Sequence, residues 1–310
     1  MPLELLTQTK RRDFKNCRRF FFLRHERHLT TRWAKTGRRR GAAFAEGLYA
    51  ARMPEPVEET LEAVYSEIEP RDQVMADDME FEQAVLLVLI LAYIERYEQT
   101  EQRELEFSHP LVNPSTGRSS RSFRRAGKID GLIRTGQTDA ILIEDKLVGA
   151  LQEPMISRLP LDEQILEYVD ALVANGWGVR VDYRFTRWPS IGLHKAKSFA
   201  TKPNIPAETL DEFSARLAAD IRERPDFYFV QQLLVFPKEA LVEFRQERWD
   251  VAQDLLLTRR TGRWYKSPSR CTEWGGCEFL PLCSGEAGAE DLYVTIADNV
   301  ELSEEVADAN

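Results

Sequence analysis

Apolar positions along this chain change period from stretch to stretch, and the changes outline its elements. Residues 8 to 28 are spaced as helix, with Cys17 set among Arg18, Arg19 and Phe20, and Arg40 to Arg52 forms a second helical stretch. Pro54 and Pro56 then break the chain, after which Val57 to Ile68 and Asp72 to Tyr97 read as helices, the latter apolar enough to be a buried spine. Glu104 to Val112 and Arg121 to Leu132 read as strands around the Asn-Pro-Ser-Thr-Gly turn at 113 to 117. Lys128 to Ile133 and Ala140 to Leu147 alternate and then run together as buried strands do, with Arg134 to Thr138 as their turn. Leu161 begins another helix and Val179 to Trp188 another strand, an α-β-β-β-α-β order within an α/β fold. Beyond Pro203 come a helix at Ala207 to Glu223, a strand at Phe227 to Val235 and a helix at Lys238 to Thr258, all read as support.

Two of these hydrophobic strands carry charge where a core would not want it. In Ile143-Glu144-Asp145-Lys146 the two-residue pleat puts Glu144 and Lys146 on one face and Asp145 on the other, and Asp130 on the neighbouring strand can reach the first face. Two carboxylates and a lysine converging beside a sheet suit phosphodiester hydrolysis. Hard oxygen ligands hold Mg²⁺ or Mn²⁺, and an ammonium orients or activates water. A short acidic-x-Lys string also occurs as an edge strand with a solvated salt bridge.

The 310 residues, 43% of them hydrophobic, are enough for a large core. The apolar run Ala84 to Ile94 is too short to span a bilayer and is bounded by Glu82 and Glu95, and the N-terminus has no signal-peptide pattern. No membrane association and a cytoplasmic, reducing location are therefore expected. The net charge of −9 is uneven: residues 1 to 40 hold thirteen Lys or Arg against Glu4, Asp13 and Glu26, a net +10, so the rest carries −19. Interleaved Phe14, Phe20, Phe21, Phe22 and Trp33 make this segment a strand-binding candidate, unless the aromatics pack inward and only the arginines are exposed. Residues 284 to 310 hold eight acids and no Lys or Arg, and the end reads as a solvated tail.

Cys271, Cys277 and Cys283 recur with five residues between each pair, and Cys17 makes four, the number a cubane iron–sulfur cluster requires. Tetrahedral zinc, which prefers shorter C-x₂₋₄-C spacings, and unligated thiols are the alternatives.

With Asp130, Glu144 and Lys146 in the pattern D…(D/E)xK, the hairpin resembles the active site of the PD-(D/E)XK nuclease superfamily. Gln164-x-x-x-Tyr168, at i and i+4 on the next helix, resembles the QxxxY motif of its RecB-like branch. One cysteine ahead of the core and three behind it resemble the iron–sulfur subgroup of that branch, which includes CRISPR-associated exonucleases, helicase–nuclease subunits and phage-encoded homologues. The resemblance implies a restriction-endonuclease-like αβββαβ core with large helical additions and an iron–sulfur clasp joining the N- and C-terminal segments. The regions are then 1–100, basic and helical with the first cluster cysteine; 101–200, the nuclease core; 201–285, helical with three cluster cysteines; and 286–310, the acidic tail.

By the same resemblance Cys17, Cys271, Cys277 and Cys283 ligate a [4Fe-4S] cluster. Asp130 and Glu144, helped by the Asp145 backbone carbonyl, bind Mg²⁺ or Mn²⁺. Lys146 activates water, and Gln164 and Tyr168 position the DNA strand together with Arg18 and Arg19. The implied activity is a DNA exonuclease acting on single strands or duplex ends, with a recombination or CRISPR adaptation protein as partner. The other reading is a catalytically weak or inactive iron–sulfur DNA-binding subunit. Cross-linking a loop of about 255 residues would stabilise the fold by on the order of 5 kcal/mol. One position departs from the family: its G-x-x-x-H motif carries a metal-ligating histidine, and Gly41-Ala42-Ala43-Phe44-Ala45 places Ala45 there. Glu46 or water could substitute. None of His25, His28, His109 and His194 fits the position.

Overall fold

A computed structural model describes residues 3–53, 55–97, 102–194, 207–298 and 302. Its helices are α1 (Gln8–Asn16), α2 (Arg18–Phe21), α3 (Thr36–Arg52), α4 (Val57–Ser66), α5 (Gln73–Arg96), α6 (Glu153–Ser157), α7 (Glu163–Ala174), α8 (Leu210–Glu223), α9 (Pro225–Tyr228), α10 (Lys238–Thr261) and α11 (Leu280–Ser284). Its strands are β1 (Glu4–Leu5), β2 (Leu29–Thr31), β3 (Gln102–Val112), β4 (Ser119–Arg134), β5 (Asp139–Val148), β6 (Gly178–Arg187), β7 (Phe229–Leu234) and β8 (Tyr293–Thr295). Among the described residues no helix is long and apolar enough to cross a membrane.

The long strand β4 is the hub of a six-stranded mixed sheet. β3 pairs with it antiparallel, β1 pairs parallel at Phe123 and Arg124, and β5 pairs antiparallel from Arg134↔Ala140 to Gly131↔Ile143. β5 and β6 run parallel from Asp139↔Gly178 to Val148↔Arg187, and parallel neighbours need a crossover, which α7 supplies. β7 closes the far edge antiparallel to β6.

Alternation along the strands feeds two apolar layers. On one face Leu147 packs toward Leu48, Leu61, Leu86, Leu89 and Phe213 of α3, α4, α5 and α8. On the other, Ile129, Leu142 and Val181 meet Ile165 and Val169 of α7 and Phe244 of α10. Each fully buried leucine contributes roughly 1.5–3 kcal/mol. Side-chain caps fix the helix starts: Thr7 Oγ1 accepts from the Lys10 N–H, Asp72 from Met75, Asp162 from Gln164, and Thr209 with Glu212 forms a reciprocal capping box.

A buried ionic cluster locks the N- and C-terminal helices to the core. Glu167 of α7 is bonded by Arg11 of α1 at 2.5 Å and by Arg125 of β4 and Arg248 of α10 at 2.9 Å each. Asp170, one turn on, takes Arg125 and Arg248 at 2.9 Å and Arg245 at 2.6 Å. Three guanidinium groups against the buried Glu167 hold its carboxyl far below the usual range, despite burial.

The expected elements differ from the observed ones where tertiary contacts decide. The single helix over 8–28 breaks at Cys17, whose extended backbone separates α1 from α2, and then continues as a π-helical turn over Phe22–Glu26. Phe14, Phe20 and Phe21 are buried in core, so these three are unavailable for base stacking, whereas Phe22 and Trp33 are half-buried. Lys10, Arg11 and Arg39 are buried as well, which narrows the exposed basic surface. The strand expected at 227 begins only at Phe229, because Pro225 starts the short helix α9. The acidic segment is not all tail: β8 pairs antiparallel with β2, Tyr293 is buried, and Asp298 accepts from Lys10 Nζ at 2.8 Å. Residues 303–310 lie outside the described ones.

Candidate active site

The β4–β5 ladder ends at Gly131↔Ile143, and the next residues on each strand, Asp130 and Glu144, stand at the mouth of the fork. Asp130 Oδ2 accepts a hydrogen bond from the Asp145 N–H at 3.1 Å, which ties the two strands where the ladder stops. Glu144 has no exposed surface and forms an ion pair with Lys146 Nζ. Beyond that ion pair neither of its oxygens has a hydrogen-bond partner. Burial, and then the Asp130 charge, push Glu144 well above the ordinary carboxylate range. Burial also raises Asp130, although Lys146 pulls it down. The Lys146 ammonium, disfavoured by burial, is nonetheless raised by Glu144 and Asp130.

One ammonium thus faces two carboxylates, Glu144 fully buried and Asp130 half-buried, with lone pairs to spare. That donor set fits a hard divalent cation, which supplies the missing positive charge and takes oxygen ligands. Among the described residues no three His, Cys, Asp or Glu side chains gather closely enough to hold an ion by themselves. Mg²⁺ asks for less, since it keeps several waters and uses one or two carboxylates.

The Asp145 side chain points to the opposite face and is engaged there. Arg52 Nη2 and Tyr93 Oη both donate to it, and Tyr93 Oη accepts from Arg184 at 3.3 Å. Arg52 Nη1 also donates to the Asp130 carbonyl at 3.3 Å, so one guanidinium pins both strands at the fork. Its carboxylate therefore holds the backbone in place. Arg52 and Tyr93 were missed in the sequence; their signal is a charge or hydroxyl inside an otherwise apolar helical face.

Helix α7 brings the glutamine and tyrosine. Lys146 Nζ donates to Gln164 Oε1 at 3.1 Å, and Gln164 Nε2 donates to Tyr168 Oη at 3.0 Å. The Tyr168 ring packs edge-on to Phe107, with centroids 6.0 Å apart, across the backbone of Gly127. A Cβ at Gly127 would lie 2.9 Å from Phe107 and 3.0 Å from Tyr168, so only glycine lets the rings approach. Glu144, Lys146, Gln164 and Tyr168 form one contiguous polar chain.

A cavity of about 220 Å³ opens over the fork, lined by Asp130, Asp145 and Lys146 and by Gly41, Ala45 and Tyr49 of α3. Ala45, which stands at the expected histidine position, lines it. Glu46, one residue round the helix, is exposed and does not.

The four cysteines are brought together at a second place. Cys17, Cys271, Cys277 and Cys283 line one small apolar cavity with Phe20 and Phe279. The Ser267 N–H approaches Cys17 Sγ at 3.4 Å, and Cys271 O accepts from the Cys277 N–H at 2.9 Å. Burial pushes the Cys277 and Cys283 thiols up, and neighbouring cysteines add to it. Arg18, expected at the nucleic acid, donates to Thr258 Oγ1 at 2.6 Å and Asp254 at 3.4 Å and stacks between Phe14 and Tyr265. Arg19 lies over Phe22. Arg18 thus ties α2 to α10, and the Arg19 backbone N–H donates to Tyr265 O at 3.0 Å.

A comparison with curated proteins returns no match. A family model for the PD-(D/E)XK nuclease superfamily matches residues 5–284, a span that takes in the fork, α7 and all four cysteines. With nearly the whole sequence covered, the chain belongs to the PD-(D/E)XK nuclease superfamily, whose members cleave phosphodiester bonds.

Proposed function

We propose that this protein is a metal-dependent DNA exonuclease of the RecB-like iron–sulfur branch, acting on single strands or duplex ends. The observation that carries the reading is the chain Glu144–Lys146–Gln164–Tyr168, whose Lys146 lines an open cavity together with Asp130. Asp130 and Glu144, with the Asp145 backbone carbonyl, would hold Mg²⁺ or Mn²⁺, which when bound polarises a phosphoryl oxygen as a Lewis acid. Lys146 orients the attacking water and steadies the negative charge that develops on the phosphate. Gln164 accepts from Lys146 and fixes the direction of its ammonium. Tyr168 keeps the Gln164 amide turned so that its oxygen faces the lysine. Arg52 and Tyr93 hold Asp145, and through it the β5 backbone.

Cys17, Cys271, Cys277 and Cys283 would hold a [4Fe-4S] cluster, which when bound cross-links the two ends of the chain. Four thiols lining one small apolar cavity, spaced more widely than the C-x₂₋₄-C pairs of zinc sites, suit a cluster better than one tetrahedral zinc. Recombination, repair and CRISPR or phage DNA processing, with a recombination or CRISPR adaptation protein as partner, are the settings this chemistry serves.

Ala45 in the cavity lining favours a second reading, a weak or silent subunit that binds DNA without cutting it. Digestion of end-labelled linear and closed-circular DNA, single- and double-stranded, with Mg²⁺ or Mn²⁺ separates them. Loss of linear substrate that vanishes in Lys146→Ala, with circles spared, supports the exonuclease. Activity only in Ala45→His means the absent ligand silences the site. DNA binding without cleavage in all three proteins establishes the binding subunit.

A further inference from the structure

A cavity of about 290 Å³ lies beyond the active site, between α1, the start of α3 and the loop before α11. Arg12, Arg24, Lys35, Arg38 and Arg270 line it, against only Asp13 and Glu278. The two acids are already paired: Asp13 Oδ2 with His25 Nε2 at 2.9 Å and Glu278 with Arg38 at 3.0 Å. Arg12 and Arg38 keep about half of their side-chain surface exposed, 53% and 47%. Each guanidinium has five donors, and the bonds Arg12 makes to Asp13 and Arg38 makes to Glu278 use only part of that capacity. The cavity is a concentrated positive site in a protein whose net charge is −9.

Helix α3 joins this cavity to the catalytic one. Lys35, Arg38, Gly41, Ala45, Leu48 and Arg52 recur every three or four positions, hence along one face. The first two line the basic cavity and the last four line the active site. At 1.5 Å rise per residue, Arg38 stands about 10 Å from Ala45 along the helix axis. Between them the floor is low, since a Cβ added at Gly41 meets nothing within 4 Å. The start of α3 reinforces the charge: no side chain caps it and no acid lies in its first turn.

We propose that this cavity is a phosphate subsite, which seats a phosphate of the substrate strand a few nucleotides from the bond that is cut, with α3 as the floor of the track. Planar guanidinium forks match phosphate oxygens bidentately. The identity of the ligand as a nucleic-acid strand rests on the nuclease reading. The seated group is either an internal diester or a terminal monoester.

The test is equilibrium binding of a fluorescent single-stranded oligothymidylate in EDTA across a KCl series, by anisotropy. Wild type is compared with Arg38→Gln, with Arg12→Gln, whose side chain bonds its neighbour Asp13, and with Arg118→Gln in the exposed β3–β4 turn. Losing one phosphate contact should flatten the plot of log K against log salt by about 0.7 and weaken binding roughly fivefold in the first two variants, with Arg118→Gln unchanged. Unaltered slopes in both variants, or no binding by wild type, overturn the subsite. Oligonucleotides ending in 5′-phosphate, 3′-phosphate or hydroxyl identify the source. A preference for one phosphorylated end that disappears in Arg38→Gln marks a terminal monoester, and equal binding with the slope still shifted marks an internal diester. No cleavage enters the titration. A shifted slope beside a failed digestion assay removes the nuclease reading and keeps the subsite, and an unshifted slope beside successful digestion does the reverse.

Discussion

Lys146 Nζ donates to Gln164 Oε1 at 3.1 Å, so the lysine of the fork is aimed by a residue of the following helix. Gln164→Ala removes this acceptor and leaves the ammonium directed by its ion pair with Glu144. Its single-turnover cleavage rate should fall by roughly 100-fold, the cost of a misplacement of about 1 Å, while DNA affinity changes little. Tyr168→Phe, which removes only the acceptor for Gln164 Nε2, should lose less, on the order of tenfold. Equal losses in both variants would count against this order of support.

Burial makes the charged form of Glu144 costly to the fold, and its proposed metal-binding role would offset that cost. Its folded-state pKa is raised by burial and by Asp130, so the folded protein prefers it protonated. The sign follows: its contribution falls as pH rises from the unfolded carboxylate range through the raised folded value. Glu144→Gln should be inactive with Mg²⁺ or Mn²⁺, and without metal should melt roughly 2–8 °C higher than metal-free wild type at alkaline pH, a gap that closes toward pH 4. Thermal melts in EDTA across a pH series measure it. Added Mn²⁺ should shrink the gap by stabilising wild type alone.

Glu167 behaves in the opposite sense. Its carboxyl is depressed by Arg11, Arg248 and Arg125 against the cost of burial, so its stabilisation is complete above the unfolded carboxylate pKa and is lost as pH falls through the depressed folded value. Glu167→Gln leaves three buried guanidinium groups short of a partner and should cost about 3–5 kcal/mol near neutral pH. Urea denaturation at several pH values checks this, with a difference that narrows in acid.

Ala45 lines the cavity over Asp130 and Lys146. Ala45→His adds a neutral nitrogen donor there and should lower the Mn²⁺ concentration giving half-maximal cleavage by roughly tenfold. A metal titration of both proteins reads it directly. An unchanged midpoint would mean the imidazole does not reach the ion.

If Cys283 ligates the proposed [4Fe-4S] cluster, Cys283→Ser in anaerobically purified protein should lose most of the iron and visible absorbance of wild type. Urea denaturation should then show a loss of about 3–5 kcal/mol, because the link between the chain ends is gone. Arg259 still bonds Glu4 at 2.6 Å and Glu26 at 2.7 Å, so the ends stay in contact and the chain should remain folded.

Strand alternation and turn residues determined a good deal without any coordinates. The hairpin at Asp130 and Glu144, the opposite facing of Glu144 and Asp145, and the i, i+4 stacking of Gln164 on Tyr168 are all local consequences of pleat and pitch. Four cysteines at positions 17, 271, 277 and 283 could be counted, but spacing alone says nothing of distance. Only the tertiary structure gathers them in one cavity, since the approach depends on α1 docking against α7 and α10 through Arg11 and Glu167. The same long-range packing decided that Phe20 and Phe21 are core, that Arg18 serves α10, that the acidic segment returns as β8, and that Arg52 and Tyr93 brace the fork. Local periodicity tells which way a side chain leaves the backbone. What it meets there depends on segments as much as 288 residues away, as the bond from Lys10 to Asp298 illustrates.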